Sequence, residues 1–502
     1  MNRFFISFAF ILATTIFSSH AQLNDFNLSD YKLPDLDRRV LETRFSLNGS
    51  NYYDKSPMYS LPNFKELNQN QYGSSAFLNY NHYLNNTKYQ RNSNYAINFN
   101  SNYYNRKQDG ELFNKSNQMS PALYIQTENR RYFEGGSFIE ADLDISYEYS
   151  SGKSYSKNYW DSSENNNTRQ NQVALIYVPL KIGKGRIEHV QDARQAVYIL
   201  DELAKVDRML LDKTDEQVLE FAKHISQLKN KRFFDARLKR MAEIESLDSF
   251  LVSKDYLLKS DAKYFTTLTD FWDYGNRPTR SSGTRYSGAM VPGYYYNNYK
   301  NTENKNTNSG TDYYESIYKL NSLFFDAGFE LKYEKPINLL WQNTIDFSAF
   351  AGIIEGNLED NSDYSFEKLR IPNIKLEFSQ TVGFYPNTRT DIRLGYRVQY
   401  VQLFDKSDIE NEIIGVEGKG AKAATTVAIN YYISPKLRLN FNSSIYYIWQ
   451  ESVDEVVFNF DNLAGSNYLL NSSNFDPNSS SGYFKEREFR NTFDLSLIYT
   501  IF

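Results

Sequence analysis

The sequence predicts a mainly β protein: a transmembrane antiparallel up-and-down β-barrel of about fourteen strands, with a small three-helix insertion. Many segments alternate apolar and polar residues with a period of two, which gives a strand one apolar and one polar face. After residue 21 no run of eighteen apolar residues occurs, so no transmembrane helix is expected. A closed barrel can span a membrane with such a polar sequence, because only one face of each strand meets lipid.

Residues 1–21 are predicted to be a secretory signal peptide. Arg3 supplies the positive start, residues 4–17 form an apolar stretch, and the sequence Ser-His-Ala at 19–21 resembles a cleavage site. The alternative is an N-terminal membrane anchor, for which the apolar stretch is short. The chain has no cysteine, which excludes disulfides and thiol chemistry.

The composition narrows the class of protein. The 56 basic and 61 acidic residues give a net charge of −5, which argues against nucleic acid as a partner, because nucleic-acid binders usually carry a basic domain. Aromatic residues make up 16% of the chain. Composition alone also allows a secreted β-solenoid or adhesin, and a soluble β-sandwich would show similar alternation. Strands of twelve or more residues, with aromatic residues gathered at their ends, favour the barrel.

Two parts of the barrel are predicted, in residues 22–183 and 257–502. The first part should hold about six strands, near residues 38–52, 72–86, 88–104, 119–133, 137–149 and 169–182. The second part should hold about eight, near residues 263–274, 311–334, 337–352, 365–385, 390–404, 421–433, 436–449 and 485–502. Rows such as Leu394 and Val398 are expected to face outward, to lipid.

The connections between these strands alternate between short and long. Short ones contain the turn-forming residues Pro, Gly or Asn, and long ones, at 151–168, 275–310 and 451–484, are rich in Asn, Ser and Gly. Membrane barrels have short periplasmic turns and long extracellular loops, so this assignment puts both ends of the chain in the periplasm and requires an even number of strands.

The last eighteen residues form an alternating strand that ends on an aromatic residue. This pattern resembles the closing strand of Gram-negative outer-membrane β-barrel proteins, although Phe502 is out of phase with the rest. The resemblance implies a location in the cell outer membrane, contact with outer-membrane lipid, and recognition by the barrel-assembly machinery. The residues of this assembly signal are Phe493, Leu495, Leu497, Tyr499, Ile501 and Phe502.

Residues 184–256 break the alternation and show helical spacing. Val190, Val197 and Leu200 belong to one apolar helical face, and Thr214 and Gln217 have the spacing of a capping box that opens a second helix. A third helix is predicted to begin near residue 232. The segment resembles one found in many Bacteroidota-type outer-membrane proteins, and it replaces a periplasmic turn. It is therefore predicted to be a periplasmic helical domain that docks a periplasmic or envelope protein.

Charged residues are predicted on the inward face of the strands. Ionisable groups at membrane depth persist only where they face water or each other, so these residues indicate a polar lumen or an ion-paired network that braces the barrel. The predicted lumen-lining residues are Glu140, Asp142, Asp144, Glu148, Asp326, Glu330, Lys332, Lys375, Arg393, Arg397 and Arg438.

No catalytic, cofactor or metal motif is found. His82, His189 and His224 lack the spacing of metal ligands, and the protein is predicted not to be an enzyme. Two functions remain. One is a pore or transporter for small polar solutes, and the other is a non-conducting structural or accessory subunit of an envelope complex that docks partners through its helical domain.

Overall fold

A computed structural model gives the fold of the protein. It describes residues 26–54, 66–108, 111–158, 163–210, 214–230, 236–274, 280–307, 310–361, 365–404, 413–414, 417–434, 437–453 and 483–499. The predicted signal peptide, most of the predicted loop at 451–484, and Ile501 and Phe502 of the predicted assembly signal lie outside the described residues.

The described chain is dominated by one antiparallel sheet. Its strands are β1 Leu36–Asp54, β2 Leu67–Asn85, β3 Tyr89–Gln108, β4 Glu111–Tyr132, β5 Ser137–Ala141, β6 Leu143–Lys157, β7 Glu164–Tyr177, β8 Leu180–His189, β9 Ser281–Thr307, β10 Gly310–Pro336, β11 Trp341–Asp360, β12 Ser365–Phe384, β13 Thr390–Leu403, β14 Ile413–Ile414, β15 Gly418–Tyr432, β16 Leu437–Val453 and β17 Tyr483–Tyr499.

Neighbouring strands pair in chain order, as in an up-and-down barrel. Strands β5 and β6 both pair with β4, and β7 and β8 both pair with β9, so each of these two pairs is one interrupted strand. The interruptions lie side by side, where the Asp142 amide donates to the Pro179 carbonyl over 2.9 Å. The two-residue β14 pairs in parallel with β12. With each interrupted strand counted once and β14 left aside, the described residues form fourteen long strands, in agreement with the prediction. A pairing of β17 with β1, which would close the ring, is not among the pairings of the described residues.

The two faces of the strands differ as predicted. Leu394 and Val398 on β13, and Ile445 and Tyr447 on β16, are exposed large apolar side chains on the outer face. The opposite face carries buried polar residues, such as Asp326, which is 3% exposed. A sheet that is apolar outside and charged inside is typical of transmembrane barrels.

The described residues between β8 and β9 form four helices, rather than the predicted three. They are α1 Gln191–Lys205, α2 Asp215–Lys229, α3 Ala236–Ser253 and α4 Ala262–Tyr274. The predicted limits of 184–256 were wrong at both ends, because residues 184–189 belong to β8 and the helices continue to Tyr274. The predicted capping box is confirmed: the Gln217 amide donates to Thr214 Oγ1 over 3.3 Å, and the Thr214 amide donates to Gln217 Oε1 over 3.0 Å. No helix of the described residues is long and apolar enough to cross a membrane.

The strand predicted at 263–274 is helix α4. Its many Thr and aromatic residues favour a strand, but Tyr264, Leu268 and Trp272 recur every four residues and are all buried in the helical core. Asp261 accepts a hydrogen bond from the Tyr264 amide over 3.1 Å and so caps the helix. Burial of this apolar stripe outweighs the local preference.

The loop predicted at 275–310 is mostly strand β9. Its Gly, Pro and Asn residues suggested a loop, but β9 pairs with β7 and β8 on one side and with β10 on the other. The backbone hydrogen bonds on both sides hold the strand despite its composition. Gly293 is needed there, because the ring of Phe324 on β10 occupies the space that a Cβ atom would take.

Candidate functional site

Charged side chains meet on the inner face of β4 to β10. The Lys181 ammonium lies 3.6 Å from Glu140, 3.5 Å from Asp142 and 3.0 Å from Glu330. Arg130 forms a second ion pair with Glu140. Three of the predicted lumen residues are thus brought together by two cations that the sequence interpretation missed. Lys181 stands near the end of a predicted strand, so the alternation could have placed it inward.

A second group of inner residues consists of a buried ion pair and the apolar side chains around it. The Lys375 ammonium contacts the Asp326 carboxylate over 2.6 Å, and both side chains are about 5% exposed or less. Apolar residues of the inner face surround this pair. We call them the apolar layer: Leu175, Tyr177, Ala289, Val291, Phe324, Ile354, Ile371, Val401 and Leu403. Side chains of the barrel wall therefore fill the lumen at this level on the side formed by β7 to β13.

A cavity of about 200 Å³ lies beside the apolar layer, on the inner face of β9 to β12. Its polar wall residues, which we call the charged chamber, are Arg285, Ser287, Glu330, Lys332, Asp346, Ser348 and Glu377. They form two rows in the strand register. One row runs Arg285, Lys332, Asp346, and the next runs Ser287, Glu330, Ser348, Glu377. The chamber brings both signs of charge into one water-accessible space.

The charged chamber contains residues that were not predicted. Arg285 was missed because it lies in the segment that was predicted to be a loop. Asp346 and Glu377 lie on predicted strands, and their inward position could have been read from the alternation. Lys332 is 3.3 Å from Glu334 and 3.8 Å from Asp346.

The other predicted lumen residues lie apart from the chamber or at its edge. Arg397 lies 3.4 Å from the Glu377 carboxylate, and Arg393 lies 3.3 Å from Asp391. Glu148 accepts a hydrogen bond from Tyr124 over 2.5 Å. Asp144 lies on β6, two residues beyond Asp142, and Arg438 lies near the start of β16, opposite Tyr432.

Arg280, which directly precedes β9, joins the start of that strand to a turn at the same end of the sheet. Arg280 is 1% exposed and donates to the carbonyls of Leu339, Asn338 and Trp341 over 2.6, 2.7 and 2.8 Å, in the turn between β10 and β11. Burial, followed by the nearby Arg194, lowers the pKa of Arg280 to about 9.

Further contacts extend to other turns. Arg194 of α1 donates to the Asn387 carbonyl over 3.1 Å in the turn after β12, and the Tyr274 hydroxyl donates to the Ile433 carbonyl over 3.4 Å in the turn after β15. Both Arg194 and Arg280 lie over the Tyr385 ring. Because these turns belong to separate strand pairs, the helices extend across this end of the barrel.

The segment before β1 completes the helical core. Phe26, Leu28 and Tyr31 are buried among the helices. The Tyr31 and Ser226 hydroxyls are 2.6 Å apart, and Ser226 donates to Asp192. We call residues 26–35, together with the described residues from the start of α1 to the end of α4, the helical lid.

The helical lid also holds a buried ion pair. The Lys229 ammonium contacts the Asp192 carboxylate over 2.6 Å. Burial opposes ionisation of Asp192, but Lys229 and Ser226 outweigh it and lower the pKa of the carboxyl. Burial also lowers the pKa of Lys229, against the pull of Asp192. The pair is therefore sensitive to loss of either partner.

The histidines have ordinary structural contacts. His82 is 3.0 Å from Asp37, His189 is 3.1 Å from the Ser281 hydroxyl, and the His224 ring stacks on Phe250 with centroids 4.5 Å apart. Among the residues that the structure describes, no three His, Cys, Asp or Glu side chains are grouped so that they could hold a metal ion.

Comparisons with known proteins give distant likenesses only. No protein-family model and no curated protein matches the sequence. The fold is similar to the translocator domain of the autotransporter NalP from Neisseria meningitidis, with 8% identity over 81% of this chain and 91% of that one and a TM-score of 0.23. A deltaS2S3 mutant of the monoaromatic hydrocarbon channel TodX has 9% identity over 83% and 88% and a TM-score of 0.30. The monoaromatic hydrocarbon channel CymD has 10% identity over 84% and 86% and a TM-score of 0.25. Scores this low carry no argument about the function of this chain.

Proposed function

We propose that the protein is an outer-membrane β-barrel that admits small polar solutes to its lumen. The observation that carries the proposal is the contrast between the two faces of the same strands. Large apolar side chains are exposed on the outer face, while the charged chamber and the Lys181 network lie on the inner face. Charged groups at membrane depth have to face water or a partner, and a polar lumen supplies both.

The proposed orientation puts the helical lid in the periplasm. The turns at the lid end are short, as between β2 and β3, where only residues 86–88 intervene. Short turns are typical of the periplasmic side. The outward apolar row of Phe493, Leu495 and Leu497 on β17 would then meet outer-membrane lipid and serve as the signal for the barrel-assembly machinery.

Side chains of the wall occupy the lumen on one side of the barrel in the conformation described. The apolar layer excludes water around the pair of Lys375 and Asp326, and the lid extends across the adjacent end. Apolar constrictions and mobile barriers both gate channels. We therefore propose that solute passage requires the lid to move away from the turns that it contacts.

A second candidate is a non-conducting accessory subunit of an envelope complex. The observation that favours it is apolar surface on the helical lid, where Leu210, Met241, Val252 and Leu258 are each about half exposed. In this alternative the protein acts through a binding surface on the lid and not through the lumen. A periplasmic or envelope protein would cover these side chains.

Single-channel conductance in planar bilayers separates the two candidates. The purified full chain should show brief openings, and Arg194→Gln should lengthen them, because it removes the hydrogen bond from α1 of the lid to the Asn387 carbonyl in the turn after β12. Arg208→Gln is the matched control, since Arg208 pairs with Asp261 within the helical segment over 2.8 Å. Arg208→Gln should leave the open times unchanged. If neither the parent protein nor Arg194→Gln conducts, the pore proposal fails and the accessory role is favoured.

A further inference from the structure

The charged chamber contains one cation, Arg285, that makes no ion pair with the residues the structure describes. Arg285 on β9 stands directly opposite Lys332 on β10 in the strand register. Like charges in directly opposed positions destabilise a sheet. Lys332 has Glu334 and Asp346 within 4 Å, whereas Arg285 makes no ion pair in the part of the chain that the structure describes. A guanidinium with five donors in a planar fork fits a carboxylate in a two-point contact.

Acidic groups face the same space one row further along the strands. Glu330 and Glu377 have side chains that are 33% and 25% exposed, and each has one ion pair, with Lys181 and Arg397 respectively. A carboxylate has about four acceptor positions, so one ion pair leaves room for a second cationic donor. The acidic row can therefore receive an ammonium group.

The spacing between the two rows sets the distance that should separate the two charged groups of a ligand. Arg285 and Ser287 are two residues apart on β9, which separates the row of Arg285 and Lys332 from the acidic row by roughly 6.6 Å. Two residues of extended peptide span about 7 Å, whereas the charged groups of a free α-amino acid are attached to one carbon. The volume of about 200 Å³ has room for roughly six water molecules at about 30 Å³ each, which suits a molecule of this size.

We infer that the charged chamber binds a small zwitterion of dipeptide length, with its carboxylate at Arg285 and Lys332 and its ammonium at Glu330 and Glu377. The Ser287 and Ser348 hydroxyls lie in the acidic row and can accept hydrogen bonds from the ammonium group of the ligand. This inference rests on the proposed function, because the ligand reaches the chamber through the lumen.

Isothermal titration of the purified full chain in detergent tests the inference with glycylglycine as the probe. Three relatives serve as comparisons: glycine, whose charges are too close; N-acetylglycylglycine, which lacks the ammonium; and glycylglycinamide, which lacks the carboxylate. Loss of one charged contact should weaken binding about tenfold or more. Equal binding of all four compounds, or no binding of glycylglycine, would overturn the inference.

Variants add a test that depends on position. Arg285→Gln and Glu377→Gln should each weaken glycylglycine binding at least about tenfold. Lys319→Gln is the control, because Lys319 pairs with Glu359 over 3.1 Å on the outer face of the same sheet. Titration of the parent protein with the four compounds tests the inference even if one variant fails to fold. Titration needs no conductance, so binding without conductance removes only the pore proposal, and conductance without binding removes only this inference.

Discussion

The pair of Asp192 and Lys229 shows what a single buried contact does in this protein. The two side chains hold α1 to α2, and Ser226 and Tyr31 extend the contact to the segment before β1. An ion pair removed from water contributes little net stability, but an isolated partner is costly. The pair therefore fixes which segments meet more than it strengthens the lid.

We predict that Asp192→Asn lowers the free energy of unfolding of the helical lid by about 3–5 kcal/mol, because it removes the carboxylate that pairs with the buried Lys229 ammonium. The double variant with Lys229→Met should recover most of this loss. Thermal unfolding followed by circular dichroism at 222 nm measures the change, with Glu245→Gln on the exposed side of α3 as the control. A double variant no more stable than the single one would contradict this account.

At the scale of elements, the close packing of β9 against β10 has a testable cause. A side chain at Gly293 would overlap the Phe324 ring, whereas a Cβ atom at Gly288 on the same strand would come no closer than 4.0 Å to its nearest neighbour. Overpacking of a filled site costs about 1–3 kcal/mol. The two glycines thus form a matched pair on one strand.

We predict that Gly293→Ala lowers the urea concentration at which the barrel unfolds, while Gly288→Ala leaves it nearly unchanged. Adding Phe324→Leu to Gly293→Ala should restore stability, since the smaller side chain frees the space. The loss of the heat-modifiable band on gels measures the unfolding. If both glycine variants behave alike, contact with Phe324 is not the cause.

Individual elements show which parts of the fold could be predicted from the sequence and which could not. The capping box at Thr214 and strand β10 were predicted because their patterns are local and complete. Helix α4 and strand β9 were not predicted, because their composition favours a different structure. Contacts with other helices and strands determine the structure of both elements. Because β9 was not predicted to be a strand, Arg285 was not included among the predicted lumen residues. The charged chamber depends on the register between four strands, which period-two alternation alone does not give.

At the scale of the whole molecule, the orientation of the two ends can be tested directly. The chain has no cysteine, so each single-cysteine variant reports one position. We predict that Lys305→Cys, near the tip of the hairpin of β9 and β10, reacts with a membrane-impermeant maleimide on intact cells. Glu245→Cys on α3 should react only after the outer membrane is permeabilised. Reaction of Glu245→Cys on intact cells would reverse the proposed topology.

The segment before β1 has a consequence for the order in which the molecule folds. Tyr31 and its partner Ser226 are separated by 195 positions along the chain, and the Leu33 amide bonds Glu188 across 155 positions. Contacts of such long sequence separation form slowly, because the loop between them has to close first. The segment before β1 can therefore pack against the helices only after α2 has been synthesised and lies beside it. The contact of Arg194 on α1 needs the turn after β12, which comes later still. Attachment of the lid to the barrel is thus a late step, and an interrupted chain that ends before residue 387 would lack the carbonyl that Arg194 contacts.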